Sequence, residues 1–169
     1  EAPWELEIGF GKGRYLLKRA QEDPQRMFLG IEIAGQYYRV TRDRAARRGL
    51  RNLVLVHGEA LFLLDALLPR QWVQRAHVYF PDPWPKKKHH KRRILNRNFV
   101  DLIETKLRAN GLVHIATDWQ PYAEEIESLF GSMMQFNRVA APLRPQTKFE
   151  RRGVKLGHTI FDLAYRLVD

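Results

Sequence analysis

The residues best suited to chemistry lie in one stretch, FPDPWPKKKHHKRR, which spans residues 80–93. Asp82 and Trp84 stand among three prolines that fix φ and lack an N–H, so the backbone around them is stiff. Six Lys or Arg and two His follow with no acid among them. A carboxylate and an indole on a stiff turn, joined to a cationic loop, could bind an extruded base beside a phosphate backbone. A strand followed by a solvated basic loop is the alternative interpretation.

The distribution of charge also favours a polyanionic partner. The net charge is +10, of which residues 86–93 contribute six positive charges and residues 142–157 a net four. The rest of the chain is therefore neutral in sum, which an even coating of charge for solubility would not produce.

Composition limits the class of protein. With 169 residues and a 44% hydrophobic content, residues 1–169 are predicted to form a single globular domain. No apolar run approaches the roughly 20 residues of a membrane span, and no signal-peptide pattern opens the sequence. The absence of Cys excludes disulfides, thiolate nucleophiles and Cys-based zinc sites. We therefore expect a cytoplasmic protein without a membrane partner.

The elements that must position the candidate residues alternate between strand and helix. The predicted strands are 4–8, 27–33, 53–56, 76–80, 112–116, 136–140 and 159–167. The predicted helices are 14–22, 35–48, 61–68, one from Asn96 to Gly111 and one that begins at Pro121. This alternation predicts an open, mostly parallel sheet with helices on both faces.

A glycine-rich turn follows the first predicted strand. Gly9, Gly11 and Gly13 allow a tight turn and a close approach of backbone to ligand, just before a helix N-terminus with free N–H groups. Glu32 lies 19 residues after Gly13 at the end of the second strand, where a carboxylate can accept both hydroxyls of a ribose. The alternative for Glu32 is an acid that caps a helix or lies on the surface.

Three more acids follow strand ends. Glu59 could meet an adenine amino group or could simply favour a helix N-terminus, and the two interpretations are equal. Asp82 and Asp118 follow the fourth and fifth strands. Because ligands of such sheets bind outside the carboxyl ends of the strands, we expect the glycine turn and these acids to share one edge.

Several classes of chemistry are excluded or weakened. There is no Walker lysine motif and no nucleophile elbow. The six His show no metal-ligand spacing with acids, so no metal is expected, and His77 and His114 are predicted to be core or sheet-face residues. A dinucleotide oxidoreductase stays possible, but Arg14 stands where its motif needs a third glycine, and it would leave the basic loops without a role.

Three sequence motifs of the chain resemble those of known protein families. The segment EIGFGKG, residues 7–13, is similar to motif I of class I S-adenosylmethionine-dependent methyltransferases. FPDPWPK with its basic tail, and TKFER with Gly153, resemble signatures of the bacterial tRNA (guanine-N7-)-methyltransferase family. The resemblance implies a Rossmann-like fold with an antiparallel C-terminal strand, the cofactor S-adenosylmethionine, and tRNA as partner, methylated at N7 of a guanine in its variable loop.

The resemblance also implies site residues. The cofactor-binding positions are Glu7, Gly9, Gly11, Gly13, Glu32, Glu59 and Asp82. The substrate-binding positions are Lys86, Lys88, Lys91, Arg92, Arg93, Asp118, Thr147, Lys148, Phe149 and Glu150. Two departures matter, since the family usually has Asp where Glu59 stands and usually carries a further segment before motif I.

Methylation of guanine N7 fits these residues chemically. N7 carries a lone pair and no proton, so transfer needs positioning and tolerance of a cationic purine rather than a general base. We therefore predict Asp82 and Asp118 as the catalytic pair, converging on one purine-sized gap with Lys86 at its mouth. Trp84, Trp119 or Phe149 could stack on the base, although core packing is an equal alternative for each.

Two other functions stay open. An amino-group methyltransferase of the same fold typically has Asn/Asp-Pro-Pro-aromatic after strand four, whereas here Trp84 directly follows Asp82-Pro83. The second alternative function is that of a non-catalytic RNA-binding module. The glycine turn and Glu32 argue against it. The oligomeric state is undetermined by the sequence.

Overall fold

The computed structural model describes residues 3–168, with only the backbone of Lys148 and Phe149. Seven strands of these described residues form one sheet in the order β3-β2-β1-β4-β5-β7-β6. They are β1 (Trp4–Ile8), β2 (Met27–Glu32), β3 (Leu53–His57), β4 (Val73–Tyr79), β5 (Leu107–Thr117), β6 (Phe136–Val139) and β7 (Phe161–Leu167). Strands β1 to β5 pair in parallel, and β7 runs antiparallel to both β5 and β6. The expected mostly parallel sheet with an antiparallel C-terminal strand is confirmed.

In the described part of the chain, six α-helices connect the strands. They are α1 (Arg14–Glu22), α2 (Gly35–Arg47), α3 (Ala60–Leu67), α4 (Arg97–Lys106), α5 (Gln120–Gly131) and α6 (Lys148–Lys155). Asn96 caps α4, because its side-chain oxygen accepts from Phe99 N at 3.1 Å. A proline in the first turn starts α5, where no intrahelical N–H is required. Within residues 3–168, no helix has the length and apolar character needed to cross a bilayer.

One face of the sheet is apolar because alternate strand residues point to it. Leu6 and Ile8 of β1 and Val113 and Ile115 of β5 belong to the main buried core. Buried side chains of α3, α4 and α5 complete that core, for example Phe99, which is fully buried. A smaller cluster with Leu16 of α1 and Phe28 of β2 lies apart from it.

The alternating positions of the central strands carry polar side chains. His77 of β4 bonds through Nε2 to Glu5 at 3.1 Å, and the Tyr79 hydroxyl lies within hydrogen-bonding distance of both His77 and His114. The Nε2 of His114 lies 2.9 Å from Asp162 of β7. His77 and His114 are therefore partnered on the face of the sheet, as the prediction of a core or sheet-face location allows. Burial is the largest influence on His77 and lowers its pKa.

The region around Gly111 differs from the prediction. Helix α4 ends at Lys106, five residues before Gly111, and β5 begins directly afterwards. Fully buried Leu107 already pairs with Val73, and the pairing then shifts register before Leu112. Asn110, with φ at +60°, lies in that irregularity, so Gly111 belongs to a bulged strand and not to a helix end.

The two basic segments are more ordered than loops. Residues Lys87–Arg92 form a 3-10 helix, and helix α6 lies within the C-terminal arm, which we define as residues 140–160 between β6 and β7. Thr147 starts α6 with a capping box, since its hydroxyl accepts from Glu150 N at 3.1 Å and Glu150 Oε2 accepts from Thr147 N at 2.7 Å. The prediction of a plain loop there was wrong.

Candidate active site

The glycine turn forms a backbone cradle at the carboxyl end of β1. Gly9, Gly11 and Gly13 all have φ between +53° and +73°, a left-handed conformation that glycine adopts without steric cost. A Cβ at Gly9 or Gly11 would meet no atom within 4 Å, so open space lies over their backbone. A Cβ at Gly13 would lie 2.3 Å from Thr41 Cγ2, which shows how closely α2 packs on the turn.

Glu32 ties the end of β2 to this cradle. Its Oε2 accepts from Gly11 N at 2.7 Å, and its Oε1 accepts from Ala34 N at 2.9 Å. The side chain is buried, yet each oxygen keeps a second lone pair for another donor. Glu32 therefore lies where the ribose interpretation requires, and its role as a ribose acceptor stays a prediction.

Glu7 is a buried carboxyl group beside the same cradle. Its residue is 4% exposed, and its Oε2 has no hydrogen-bond partner. Burial, followed by repulsion from Glu32, raises the pKa of Glu7 to about 8. Glu7 is therefore largely protonated at neutral pH, and it is one of the residues that line a cavity beside the glycine turn.

A cavity of about 520 Å³ is lined by residues from the N-terminal and the C-terminal parts of the sequence. It is lined by Glu7 and the glycine turn and also by Thr147 and Glu150 of the C-terminal arm. Tyr15 and Tyr79 line the same cavity. The structure thus brings residues predicted for the cofactor together with residues predicted for the substrate, although about 140 residues separate them in sequence.

The turn that carries Asp82 is strained. Phe80 has φ at +51° and Trp84 has φ at +43°, positions that non-glycine residues occupy at a cost of about 1–3 kcal/mol each. Asp82 lies between them, exposed, and its Oδ1 accepts from Trp84 N at 3.1 Å. Strain of this kind is often concentrated at functional sites.

Asp118 lies at the same edge as Asp82. Tyr79, three residues before Asp82, pairs with Ala116, two residues before Asp118, and Phe80 N donates to Ala116 O at 2.7 Å. Both acids are exposed and neither lines the 520 Å³ cavity. Their convergence on a purine-sized gap stays a prediction. Lys86 is also exposed, and its position at the mouth of that gap stays a prediction as well.

Arg93 does not belong to the RNA-facing surface predicted for it. Its side chain is 2% exposed, its Nε donates to Pro83 O at 2.7 Å, and its Nη1 pairs with Glu125 of α5. Its guanidinium also lies 4.7 Å from the ring centre of Tyr122. The two acceptors and the buried Tyr122 ring draw Arg93 inward, so the residue anchors the Asp82 turn and is not available to a ligand.

The rest of the basic segment is exposed. Lys88 and Lys91 face solvent. Arg92 is also exposed, and its guanidinium lies 4.8 Å from the Trp84 ring centre. The ring of His89 meets the Trp84 ring edge-on, with 5.7 Å between the ring centres. Nothing in the sequence indicated this contact, because His89 stands within a run of charged residues. Trp84 is thus already packed by a cation and an imidazole, which leaves Trp119, 38% exposed, as the more accessible ring.

The geometry of Glu59 fits the helix interpretation. Its Oε1 accepts from Leu61 N at 2.9 Å and its Oε2 accepts from Phe62 N at 2.7 Å, so both oxygens cap α3. Glu59 does not line the 520 Å³ cavity. Contact of Glu59 with adenine stays a prediction. The predictions for the side chains of Lys148 and Phe149 lie outside the described residues.

Sequence reasoning missed Arg144 as a site residue. It lines the same cavity as the glycine turn, and its side chain is only 6% exposed. In the sequence it counted as one of several charges in a basic segment, and nothing local distinguished it. Within residues 3–168, no cluster of three or more His, Cys, Asp or Glu could hold a metal ion.

The strand order, the glycine cradle and the position of Glu32 define the fold of a class I S-adenosylmethionine-dependent methyltransferase. Two solved structures share that fold. One is a SAM dependent methyltransferase from Aquifex aeolicus, with a TM-score of 0.69 and 13% identity over 99% of this chain and 84% of that one. The other is an rRNA methylase from Streptococcus thermophilus, with a TM-score of 0.66 and 14% identity over 99% and 88%.

Sequence comparison identifies the family. A family model described as "Putative methyltransferase" matches residues 1–163. A tRNA (guanine-N(7)-)-methyltransferase of Nitrosococcus oceani is 43% identical over 95% of this chain and 70% of its own length. Its counterpart in Leifsonia xyli is 41% identical over 98% and 76%. The chain belongs to the tRNA (guanine-N7-)-methyltransferase family.

Proposed function

We propose that this protein transfers a methyl group from S-adenosylmethionine to N7 of a guanine in the variable loop of tRNA. The observation that carries the proposal is the shared cavity. The glycine turn of motif I lines one cavity of about 520 Å³ together with Thr147 and Glu150 of the C-terminal arm. A donor bound in this cavity would meet a base held beside the Asp82 turn, because Phe80 at the start of that turn also lines the cavity.

The residues present fit S-adenosylmethionine. The volume lies within the range of about 300–1,000 Å³ that is typical of small-molecule sites. The open space over Gly9 and Gly11 admits a ligand against the backbone, and Glu7 adds a carboxyl group to the lining of the cavity. Glu32 keeps lone pairs for two ribose hydroxyls. When bound, the cofactor supplies an electrophilic methyl group on a sulfonium.

The chain's own residues hold the guanine. Asp82 and Asp118, as carboxylates, accept from guanine N1–H and its amino group and favour the positive charge that methylation places on the purine. Trp119 offers a stacking surface. No side chain is assigned a proton to move, because N7 carries none.

The exposed basic segment holds the RNA. Lys88, Lys91 and Arg92 supply positive charge on the 3-10 helix that directly follows the Asp82 turn. Phosphate contacts at this place fix the register of the tRNA, while the base contacts select the guanine. The cytoplasmic location expected from the sequence stays a prediction.

The test is a product analysis. The protein is incubated with labelled S-adenosylmethionine and unmodified tRNA, and the methylated nucleoside is identified after digestion. We expect 7-methylguanosine from the variable loop, and no product from a tRNA whose variable-loop guanines are replaced by adenine. A label on an exocyclic amine would favour the amino-group methyltransferase instead. RNA binding without any methylated nucleoside would favour the non-catalytic module.

A further inference from the structure

Arg144 lies between two carboxylates that belong to different elements. Its Nε and Nη2 donate to the two oxygens of Asp162 on β7 at 2.8 and 3.2 Å, and its Nη1 lies 2.6 Å from Glu150 Oε1 on α6. The Arg144 side chain is 6% exposed and that of Glu150 is fully buried. A guanidinium placed in this way compensates both negative charges at once, that of buried Glu150 and that of partly exposed Asp162.

The same guanidinium also packs on the end of β4. Its carbon lies 5.0 Å from the ring centre of Tyr79 and 5.4 Å from that of Phe80. Phe80 is the first of the two strained residues around the Asp82 turn. Arg144 therefore touches, within one side chain, the C-terminal arm, the last strand and the start of the turn that carries Asp82.

We propose that Arg144 is a positioning residue that sets the start of α6 against the Asp82 turn across the cavity. Its pair with Glu150 orients the carboxylate whose other oxygen accepts from Thr147 N, so the capping box and the cavity wall are built on it. The inference rests on the proposed function, and it adds a residue that acts through Glu150 and Phe80 and not through the ligand.

The geometry requires Arg at this position. A planar guanidinium can donate twice to Asp162, reach Glu150 and stack on two rings at the same time, whereas a Lys ammonium offers one compact point of charge. A merely structural cation would be replaced by Lys with little loss of turnover per folded molecule. A positioning residue would not, because an error of about 1 Å in placement can cost roughly 10²-fold in rate.

The chain offers a matched control in Arg138. It also stacks on an aromatic ring, with 5.3 Å to the Tyr165 ring centre, and it also contacts Asp162, through the backbone oxygen at 3.3 Å. It pairs with Glu127, but it does not line the 520 Å³ cavity. Loss of Arg138, whose side chain is 45% exposed, therefore removes a stacked and ion-paired guanidinium without altering the lining of the cavity.

The experiment compares Arg144→Met, Arg144→Lys and Arg138→Met in the full chain. For each variant, kcat, KM for tRNA, the Kd of S-adenosylhomocysteine and the thermal midpoint are measured. We expect both Arg144 variants to lose roughly 10-fold to 100-fold in kcat, with KM for tRNA within about threefold of wild type. Arg138→Met should keep near-normal kcat even where its thermal midpoint falls.

A double-mutant cycle tests the route through Glu150. If Arg144 acts through that carboxylate, Arg144→Met with Glu150→Gln should lose no more kcat than the worse single variant. Normal kcat in Arg144→Lys, or equal kcat losses in the Arg144 and Arg138 variants, would overturn the inference. Should Arg144→Met fail to fold, Arg144→Lys decides the matter. A wild-type protein that makes no 7-methylguanosine would instead overturn the proposed function.

Discussion

Gly11 N donates to Glu32 Oε2 at 2.7 Å, so the glycine turn and the end of β2 are joined by a charged hydrogen bond. This bond fixes one Glu32 oxygen beside a stretch of backbone over which a Cβ would meet nothing within 4 Å. The carboxylate is thereby fixed beside Gly11, which lines the cavity, and little rearrangement of Glu32 is required when a ribose arrives.

The first prediction concerns cofactor affinity. Glu32→Ala should weaken binding of S-adenosylmethionine by about 1.5–3 kcal/mol, the usual contribution of hydrogen bonds to a charged acceptor. Binding of tRNA should hardly change, since phosphate contacts dominate it. Calorimetry measures both affinities.

The control for this prediction is Glu59→Ala. Both oxygens of Glu59 cap α3, so its loss should lower the free energy of unfolding by about 0.5–2 kcal/mol. Its effect on cofactor affinity should be smaller than that of Glu32→Ala. Unaltered affinity in Glu32→Ala would remove Glu32 from the cofactor site.

The second prediction concerns the salt dependence of tRNA binding. Replacing Lys88, Lys91 and Arg92 by Ala should weaken binding and flatten the plot of log affinity against log salt, by about 0.7–0.9 for each phosphate that the variant no longer neutralises. Cofactor binding should persist. Filter binding or fluorescence titration at several salt concentrations provides the slopes.

An equal change of charge elsewhere serves as control. Arg42, Arg47 and Arg48 are exposed on or just after α2, so their replacement by Ala also removes three positive charges. If both triple variants flatten the slope equally, the 3-10 helix has no special role and only the overall charge matters.

Local patterns account for what the sequence predicted well. Strand ends, the glycine turn and the cap at Asn96 depend on near neighbours, so periodicity and turn chemistry locate them within a few residues. Parallel strand ends share one edge, so Glu32 and the glycine turn could be expected together. These features depend on segments that are adjacent in the sequence or in the sheet, so tertiary contacts with distant segments do not alter them.

Long-range partners account for what the sequence could not predict. Arg93 looks like its neighbours in a charge run, and only Glu125, 32 residues later, together with Pro83 O, draws it inside. Arg144 likewise depends on Asp162 and on rings at the end of β4. Helix α4 ended early because Leu107 could be buried against Val73, a tertiary gain that helix propensity does not contain.

The third prediction concerns pH and the carboxyl group of Glu7. Its pKa rises from an ordinary 4.5 to about 8 in the folded protein. Between these values the unfolded chain releases a proton that the folded protein keeps, so stability falls as pH rises towards 8. Relative to Glu7→Gln, wild type should lose up to about 1.4 kcal/mol of unfolding free energy per pH unit in that window. Denaturant titrations of both proteins from pH 5 to 9 measure the difference, and parallel curves would contradict it.

Cofactor binding offers a second readout of the same group. A cationic ligand beside Glu7 favours its ionised form, so binding of S-adenosylmethionine at pH 7 should release protons. The neutral thioether S-adenosylhomocysteine should release fewer, and Glu7→Gln should abolish the difference. Calorimetry in buffers of unlike ionisation enthalpy counts these protons.

The last prediction separates catalysis from binding. Asp82 and Asp118 follow paired strands, and each can favour positive charge on a purine held beside them. Replacing either by Asn keeps its size but removes that charge, so kcat should fall by roughly 10²-fold or more. Binding of tRNA should fall much less, because it depends on phosphate contacts elsewhere. Asp101→Asn, on the exposed side of α4 where Asp101 pairs with Arg97, should leave kcat unchanged.

The pH dependence of kcat provides an independent check on the roles of the two acids. With cofactor saturating, kcat should show no requirement for a base that titrates near neutrality, because guanine N7 has no proton to remove. A rising limb in that region would mean that a general base acts in the reaction. Near-normal kcat in both Asn variants would mean that neither carboxylate favours the cationic purine, and the catalytic role would then have to pass to other residues of the same edge.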